Sequence, residues 1–197
     1  LLMKNKRGSV VAVEPSTGEI LCFLSSPGYD PNLLVGRVRG KNFQMLNEDP
    51  VKPLLNRAIM GQYPPGSTFK MANDLIGLQE GVITAATRFS CAGPGSSPIR
   101  CTHNHQSPLD VYTAIQQSCN PFHWQVFRAI LNDPDYGSVK QRYDVWRNHL
   151  LSMGFGRKLN TDLAFELKGN LPPSDAFDKI YGAGHWNAMT IRSLSIG

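Results

Sequence analysis

The tripeptide Pro64-Pro65-Gly66 divides this chain, because two prolines and a glycine end any regular element that reaches them. Before it lie two β-rich runs, residues 8–13 and 19–25. Between them Glu14-Pro15-Ser16-Thr17-Gly18 favours a tight reversal, so the two runs predict a hairpin. Turn chemistry in residues 26–32 and polar residues through Asn47-Glu48-Asp49-Pro50 predict an extended surface excursion. After the break helical periods take over. Phe69, Met71, Ala72, Leu75, Ile76 and Leu78 predict a helix that Gly81 ends. A short strand is expected over residues 87–90, then a loop rich in Gly, Pro and Ser. Ser107 as cap, Pro108 in the first turn and Asp110 three residues past the cap predict a helix to about Gln116. Asn120-Pro121 opens the next, with Phe122, Val126, Phe127 and Ile130 on its apolar face. A further helix over residues 138–151 sets Val139, Tyr143, Trp146 and Leu150 on one stripe, and the remainder is expected to be mainly irregular. Strands first, then helices and loops, make this an α+β chain rather than a repeat of βα units.

A chain of 197 residues, 41% hydrophobic and 18% charged, can bury a core of its own. No apolar run approaches the roughly 20 residues of a membrane helix, and Leu1-Leu2-Met3-Lys4 is not a signal peptide. Any anchor or export signal is therefore expected outside this chain. The net charge of +5 comes from scattered residues, except for Lys4-Asn5-Lys6-Arg7 and the group Arg37, Arg39, Lys41. Without an aromatic-interleaved basic stripe, that charge predicts no nucleic-acid partner. Four cysteines are too few for a disulfide-built scaffold.

The chemistry centres on Ser67-Thr68-Phe69-Lys70. On a helix residues i and i+3 share a face, so the Lys70 amine comes to the same side as the Ser67 hydroxyl. A serine is a weak nucleophile until an adjacent base takes its proton. Serine is equally a favoured helix cap and lysine a common exposed helix residue, so the pair alone says little. A second element, Ser118-Cys119-Asn120, follows at the corner between two predicted helices. Asn120 before Pro121 is also a plausible cap, Cys119 is expected to be a small packed residue, and Asp74, one turn beyond Lys70, could adjust its charge but is expected to be solvated.

SxxK followed by SxN resembles the signature of penicillin-binding proteins and class A β-lactamases. Residues 8–21 with Ser25-Ser26-Pro27-Gly28-Tyr29-Asp30-Pro31-Asn32 are similar to the opening hairpin of class B penicillin-binding proteins. Asn56-Arg57-Ala58 ahead of Tyr63-Pro64-Pro65-Gly66-Ser67 strengthens the likeness. Gly169-Asn170-Leu171-Pro172 and Ser195-Ile196-Gly197 resemble the penicillin-binding protein 2 branch, the elongation-type transpeptidases. The resemblance implies a partial penicillin-binding protein and serine β-lactamase-like fold, an opening sheet hairpin plus a helical subdomain. It also implies roles. Ser67 is the nucleophile toward the penultimate D-alanine carbonyl of a stem peptide, Lys70 the base, Ser118 the proton relay, and Asn120 the group that holds substrate or β-lactam amide and Lys70. It places the parent at the outer face of the cytoplasmic membrane, beside a polymerising glycosyltransferase of the elongation machinery.

No Lys-Thr-Gly or Lys-Ser-Gly occurs in the sequence. Residues 1–197 are accordingly expected to be a truncated transpeptidase domain, inactive by itself for want of the strand that completes the oxyanion hole. Two rivals fit the motifs less well: a class D β-lactamase, where Ser-x-Val replaces Ser-x-Asn, and a β-lactam sensor, whose flanking sequence would show a receptor.

Cys91 and Cys101-Thr102-His103-Asn104-His105 lie between the motifs. The resembled family calls for no cofactor, yet this density of soft ligands suits zinc on Cys91, Cys101, His103 and His105, although the spacing is no standard zinc signature. The family's extracytoplasmic setting also allows a Cys91 to Cys101 disulfide. Free thiols beside solvated histidines are the third reading.

Overall fold

The computed structural model describes Met3 and residues 6–197, so Leu1, Leu2 and half of the Lys4-Asn5-Lys6-Arg7 run lie outside the described residues. It divides into two compact units. The first comprises residues 1–62 with 158–168, the second 63–157 with 169–197.

In the first unit β1 (Gly8–Val13) pairs antiparallel with β2 (Ile20–Ser26), Gly8 opposite Ser26 and Ala12 opposite Cys22, with a bulge between Ala12 and Val13. The predicted hairpin is present within a residue at each end. The polar excursion is not extended. Asp30 caps a 3-10 turn over Pro31–Leu34 through the amide of Asn32, and α1 (Arg39–Glu48) follows, with Leu46 its only buried side chain. A helix that buries one residue carries no apolar period, so its sequence hides it. The short α2 (Arg57–Met60) is capped by Asn56 and packs on both strands. Arg57 is buried there, its guanidinium donating to the carbonyls of Val51, Lys52 and Leu55.

The second unit is helical and holds the hydrophobic core. A 3-10 turn (Gly66–Phe69) leads into α3 (Lys70–Gln79). Phe89 and Leu109 form a single antiparallel bridge where a short strand was expected. That bridge keeps Leu109 extended, so the next helix starts later than Ser107. Asp110, not Ser107, caps α4 (Val111–Gln116), in a reciprocal capping box with Thr113. Then come α5 (Asn120–Leu131) and α6 (Val139–Ser152), the latter capped by Ser138 and Gln141. Phe122, Val126, Phe127, Tyr143, Trp146 and Leu150 are fully buried, as their spacing predicts. The expected irregular remainder contains α7 (Ser174–Tyr181), which packs Phe177 against Tyr143 and Trp186. Among the described residues no helix is long and apolar enough to cross a membrane.

The buried face of α3 departs most from its sequence pattern. Met71, Leu75 and Leu78 are exposed, while Lys70, Asn73 and Asp74 are buried beside Ala72 and Ile76. Asn73 is satisfied on all sides: its Oδ1 accepts from Trp146 Nε1 at 2.7 Å and its Nδ2 donates to the carbonyls of Leu194 and Ser195. The C-terminal segment is thereby tied to α3. Gly197 lies so close to Gly66 that a Cβ there would stand 2.3 Å from the Gly66 carbonyl oxygen. Only glycine permits that approach.

Candidate active site

Ser67 sits exposed in the 3-10 turn, and Lys70 is the first residue of α3 with its side chain buried. Both line one cleft of about 260 Å³ together with Thr68, Met71, Ile115, Ser118 and His123. Ser118 occupies the turn between α4 and α5 in the left-handed region, φ 48°, which directs its carbonyl and hydroxyl to the same neighbour. Lys70 Nζ donates to Ser118 O at 2.7 Å, to Ser118 Oγ at 3.0 Å and to Asn120 Oδ1 at 2.6 Å. Asn120 Nδ2 donates in turn to the carbonyl of Arg100. The structure thus gathers Ser67, Lys70 and Ser118 along one cleft, with Asn120 bonded to Lys70. Asn120 does not cap α5. Cys119 holds that position and makes no side-chain cap, so the amide of Asn120 is free to face Lys70.

Burial pushes the Lys70 amine below its ordinary value, with Cys119, Cys101 and Asp74 pulling the other way. Lowering favours the neutral amine that can accept a proton.

His123, which lines the cleft, has no counterpart in the sequence reading, and Asp74 differs from that reading in burial. Asp74, expected in solvent, is 2% exposed, and His123 is fully buried. His123 Nε2 lies 3.1 Å from Asp74 Oδ2, and its Nδ1 lies 2.6 Å from the carbonyl oxygen of Cys119. A sequence signal existed: Asp74 is four residues after Lys70 and His123 three after Asn120, so each shares a helix face with a motif residue.

The cysteine and histidine cluster is reshaped relative to its sequence reading. Cys91, Cys101, His105 and Cys119 bring one ligand atom each to within 4.8 Å of one another. His103 is not among them, because its ring bonds to Thr102 and Gln117. Cys119, expected to be mere packing, takes its place. No disulfide joins Cys91 and Cys101: all four cysteines are free, with Cys91 Sγ accepting from the amide of Gly93 and Cys101 Sγ facing His105 Nε2 at 3.4 Å. His105 Nδ1 donates to the carbonyl of Gln106, which leaves Nε2 to face the thiols. Burial pushes the Cys119 thiol up. Cys101 is also raised by burial, but contacts with the His103 backbone, His105, Asn120 and Cys91 prevail and bring it down.

The chain is 32% identical over 206 residues to the peptidoglycan D,D-transpeptidase MrdA of Acinetobacter baumannii, matching 99% of this chain and 28% of that protein. It therefore spans less than a third of that relative's length. It superposes on penicillin-binding protein 2 of Helicobacter pylori, solved in complex with MreC, with a TM-score of 0.80 and 27% identity over all of this chain and 35% of that one. It also superposes on the penicillin G acyl-enzyme of penicillin-binding protein A from Mycobacterium tuberculosis, with a TM-score of 0.66 and 30% identity over 92% of this chain and 42% of that one. The profile of the penicillin binding protein transpeptidase domain matches residues 8–194, so the chain belongs to the penicillin-binding protein transpeptidase family, in its class B, penicillin-binding protein 2 type.

Proposed function

We propose that this chain is the opening part of a peptidoglycan D,D-transpeptidase domain in which Ser67 forms the acyl-enzyme. The observation that carries this reading is the convergence of Ser118 Oγ and Asn120 Oδ1 on the buried Lys70 amine, at the cleft that Ser67 lines. Lys70 takes the Ser67 proton as Oγ attacks the penultimate D-alanine carbonyl of a stem peptide. The peptide C–N bond breaks, Ser118 passes a proton from Lys70 to the departing D-alanine amine, and an ester remains on Ser67. An acceptor amine from a second stem peptide then attacks the ester, forms the cross-link and returns the proton to Ser67. The Ser67 amide, in the first turn of a helical segment and so without a helical partner, supplies one oxyanion donor. A β-lactam acylates the same serine by opening its ring, as in the penicillin G acyl-enzyme of the mycobacterial relative.

The parent acts at the outer face of the cytoplasmic membrane with a glycosyltransferase of the elongation machinery. That setting rests on the family resemblance; the Helicobacter pylori relative, solved together with MreC, supports only that a protein of this type takes a protein partner. Carried in a complete transpeptidase domain, the segment should be labelled stoichiometrically at Ser67 by a fluorescent penicillin. The 197-residue chain alone, without Lys-Thr-Gly, should label at least about a hundredfold more slowly, since one missing oxyanion donor costs that much. Labelling that survives Ser67→Ala would overturn the assignment.

Zinc is the second reading, and the donor set favours it. Zinc bonds of about 2.3 Å to sulfur and 2.0–2.1 Å to nitrogen in a tetrahedron set ligand atoms roughly 3.5–3.8 Å apart, a modest contraction of the cluster. The bond from His105 Nδ1 to Gln106 O is the outer contact that orients a ligating imidazole. Cys91, Cys101, His105 and Cys119 would hold the ion, which supplies structure rather than chemistry to the turn between Ser118 and Asn120. One equivalent of zinc by elemental analysis, and a lower melting temperature with a chelator, are expected. Metal-free protein with four titratable thiols and an unchanged melt would refute it.

A further inference from the structure

A carboxylate and an imidazole buried in a helical core are costly unless each polar atom is paired, and an apolar pair of similar size usually packs better. Asp74 and His123 nevertheless stand side by side, one on α3 and one on α5, with His123 at the wall of the cleft. Asp74 Oδ1 has no hydrogen-bond partner among the described residues, which makes the pair dearer still. Such a pair needs a reason that packing does not supply.

The reason lies in the bonds it makes. A carbonyl oxygen can only accept, so His123 Nδ1 must donate to Cys119 O, and Nε2 is left to meet Asp74 Oδ2. The Cys119 carbonyl also receives the backbone N–H of His123 at 3.3 Å, so one residue grips it twice. The preceding carbonyl, that of Ser118, is taken by Lys70 Nζ. Consecutive peptide planes of the turn are therefore fixed from two residues of one helix face: Lys70 directly, and Asp74 through His123. Between those planes sits Cys119, and Ser118 enters the first of them in its left-handed conformation, which a non-glycine residue keeps only when its surroundings hold it.

We infer that His123 is a positioning residue for the transfer chemistry. It clamps the Cys119 carbonyl, with Asp74 orienting the imidazole, so that Ser118 Oγ and Asn120 Oδ1 meet Lys70. The inference rests on the acyl-enzyme reading for its catalytic consequence, but the clamp itself does not. Its action is geometric, carried by the turn.

The two ring nitrogens can be tested apart, because Asn places its amide nitrogen near the Nδ1 position and Gln places its own near Nε2. In a complete transpeptidase domain carrying Asp74→Asn, which removes the lone carboxylate, His123→Asn keeps the donor to Cys119 and His123→Gln loses it. Acylation by a fluorescent penicillin is expected to stay within about threefold of the Asp74→Asn protein for His123→Asn. It should fall by about tenfold or more in the acylation rate constant, not in the dissociation constant, for His123→Gln, as loss of one hydrogen bond warrants. Hydrogen exchange at the amides of Cys119 and His123, measured without ligand, is expected to quicken about tenfold in His123→Gln relative to His123→Asn. Equal behaviour of the two variants in exchange overturns the clamp, whatever their melting temperatures. Faster exchange in His123→Gln than in His123→Asn, with equal acylation by the two, overturns its catalytic role. A parent domain that Ser67→Ala leaves fully labelled overturns the acyl-enzyme reading instead, and exchange alone then decides the clamp.

Discussion

Val10, Val11, Val13, Leu21 and Leu24 of the hairpin are 42–67% exposed, whereas Phe122, Phe127, Tyr143 and Trp146 of the helical unit are fully buried. Val10 and Val11 are neighbours on one strand and point to opposite faces, so the hairpin shows apolar surface on both sides. A two-stranded hairpin has little stability of its own and takes it from what packs on it. In the helical unit the aromatic residues of α5, α6 and α7 instead supply one another's contacts. The unit that is closed upon itself is also the one that holds Ser67, Lys70, Ser118 and Asn120. A proton-transfer site needs groups held to within about half an ångström, which a closed core can provide.

Three measurements can break or sharpen that contrast. Trp146→Ala should be the severest: it empties a fully buried site and strips Asn73 of its indole partner, costing about 3–5 kcal/mol by denaturant unfolding. A loss under about 1 kcal/mol would mean that the helical core is looser than its packing indicates.

Glu80 provides an intermediate test. Burial raises its carboxyl, but the Tyr136 hydroxyl and His149 outweigh that and hold it below its ordinary 4.5. A carboxylate with a lowered folded value contributes stability that is full above 4.5 and is lost as pH falls through the folded value. Tyr136→Phe should therefore lower stability at neutral pH and flatten the acid limb of the stability curve. An unchanged acid limb would assign the acid sensitivity elsewhere.

The smallest effect is expected in the hairpin. Val11→Thr removes apolar surface that is already 46% exposed and should change stability by less than about 0.5 kcal/mol in this chain. In a longer chain that packs on the hairpin the same substitution should cost more. Equal costs in both would show that nothing packs on that face.

Elements with strong periods or caps were legible. The hairpin, α5 and α6 appear where alternation, the Asn120-Pro121 opening and the Ser138 cap place them, and the Ser67, Lys70, Ser118, Asn120 set follows from the order of two motifs. Helix α1 was not legible because it buries one side chain, and α7 because glycines and prolines crowd its flanks. The start of α4 was misplaced because Ser107 satisfies the local cap rules, while the Phe89–Leu109 bridge, a pairing across 20 residues, holds that segment extended.

The buried polar residues divide in the same way. Which residues are candidates for nucleophile and base, and that Ser118 and Asn120 stand beside them in the motif order, was read from the sequence alone, because chemistry restricts which side chains can do such work at this spacing. Which faces of α3 and α5 turn inward was decided only by the tertiary structure. Asn73, Asp74 and His123 look like solvated residues in any local window, and they become buried because partners many residues away satisfy them: Trp146 and the Leu194–Ser195 carbonyls for Asn73, and Asp74 with His123 for each other. The gathering of Cys91, Cys101, His105 and Cys119 has the same origin. A polar group is free to leave water only where a partner waits, and long-range folding alone brings the partner there.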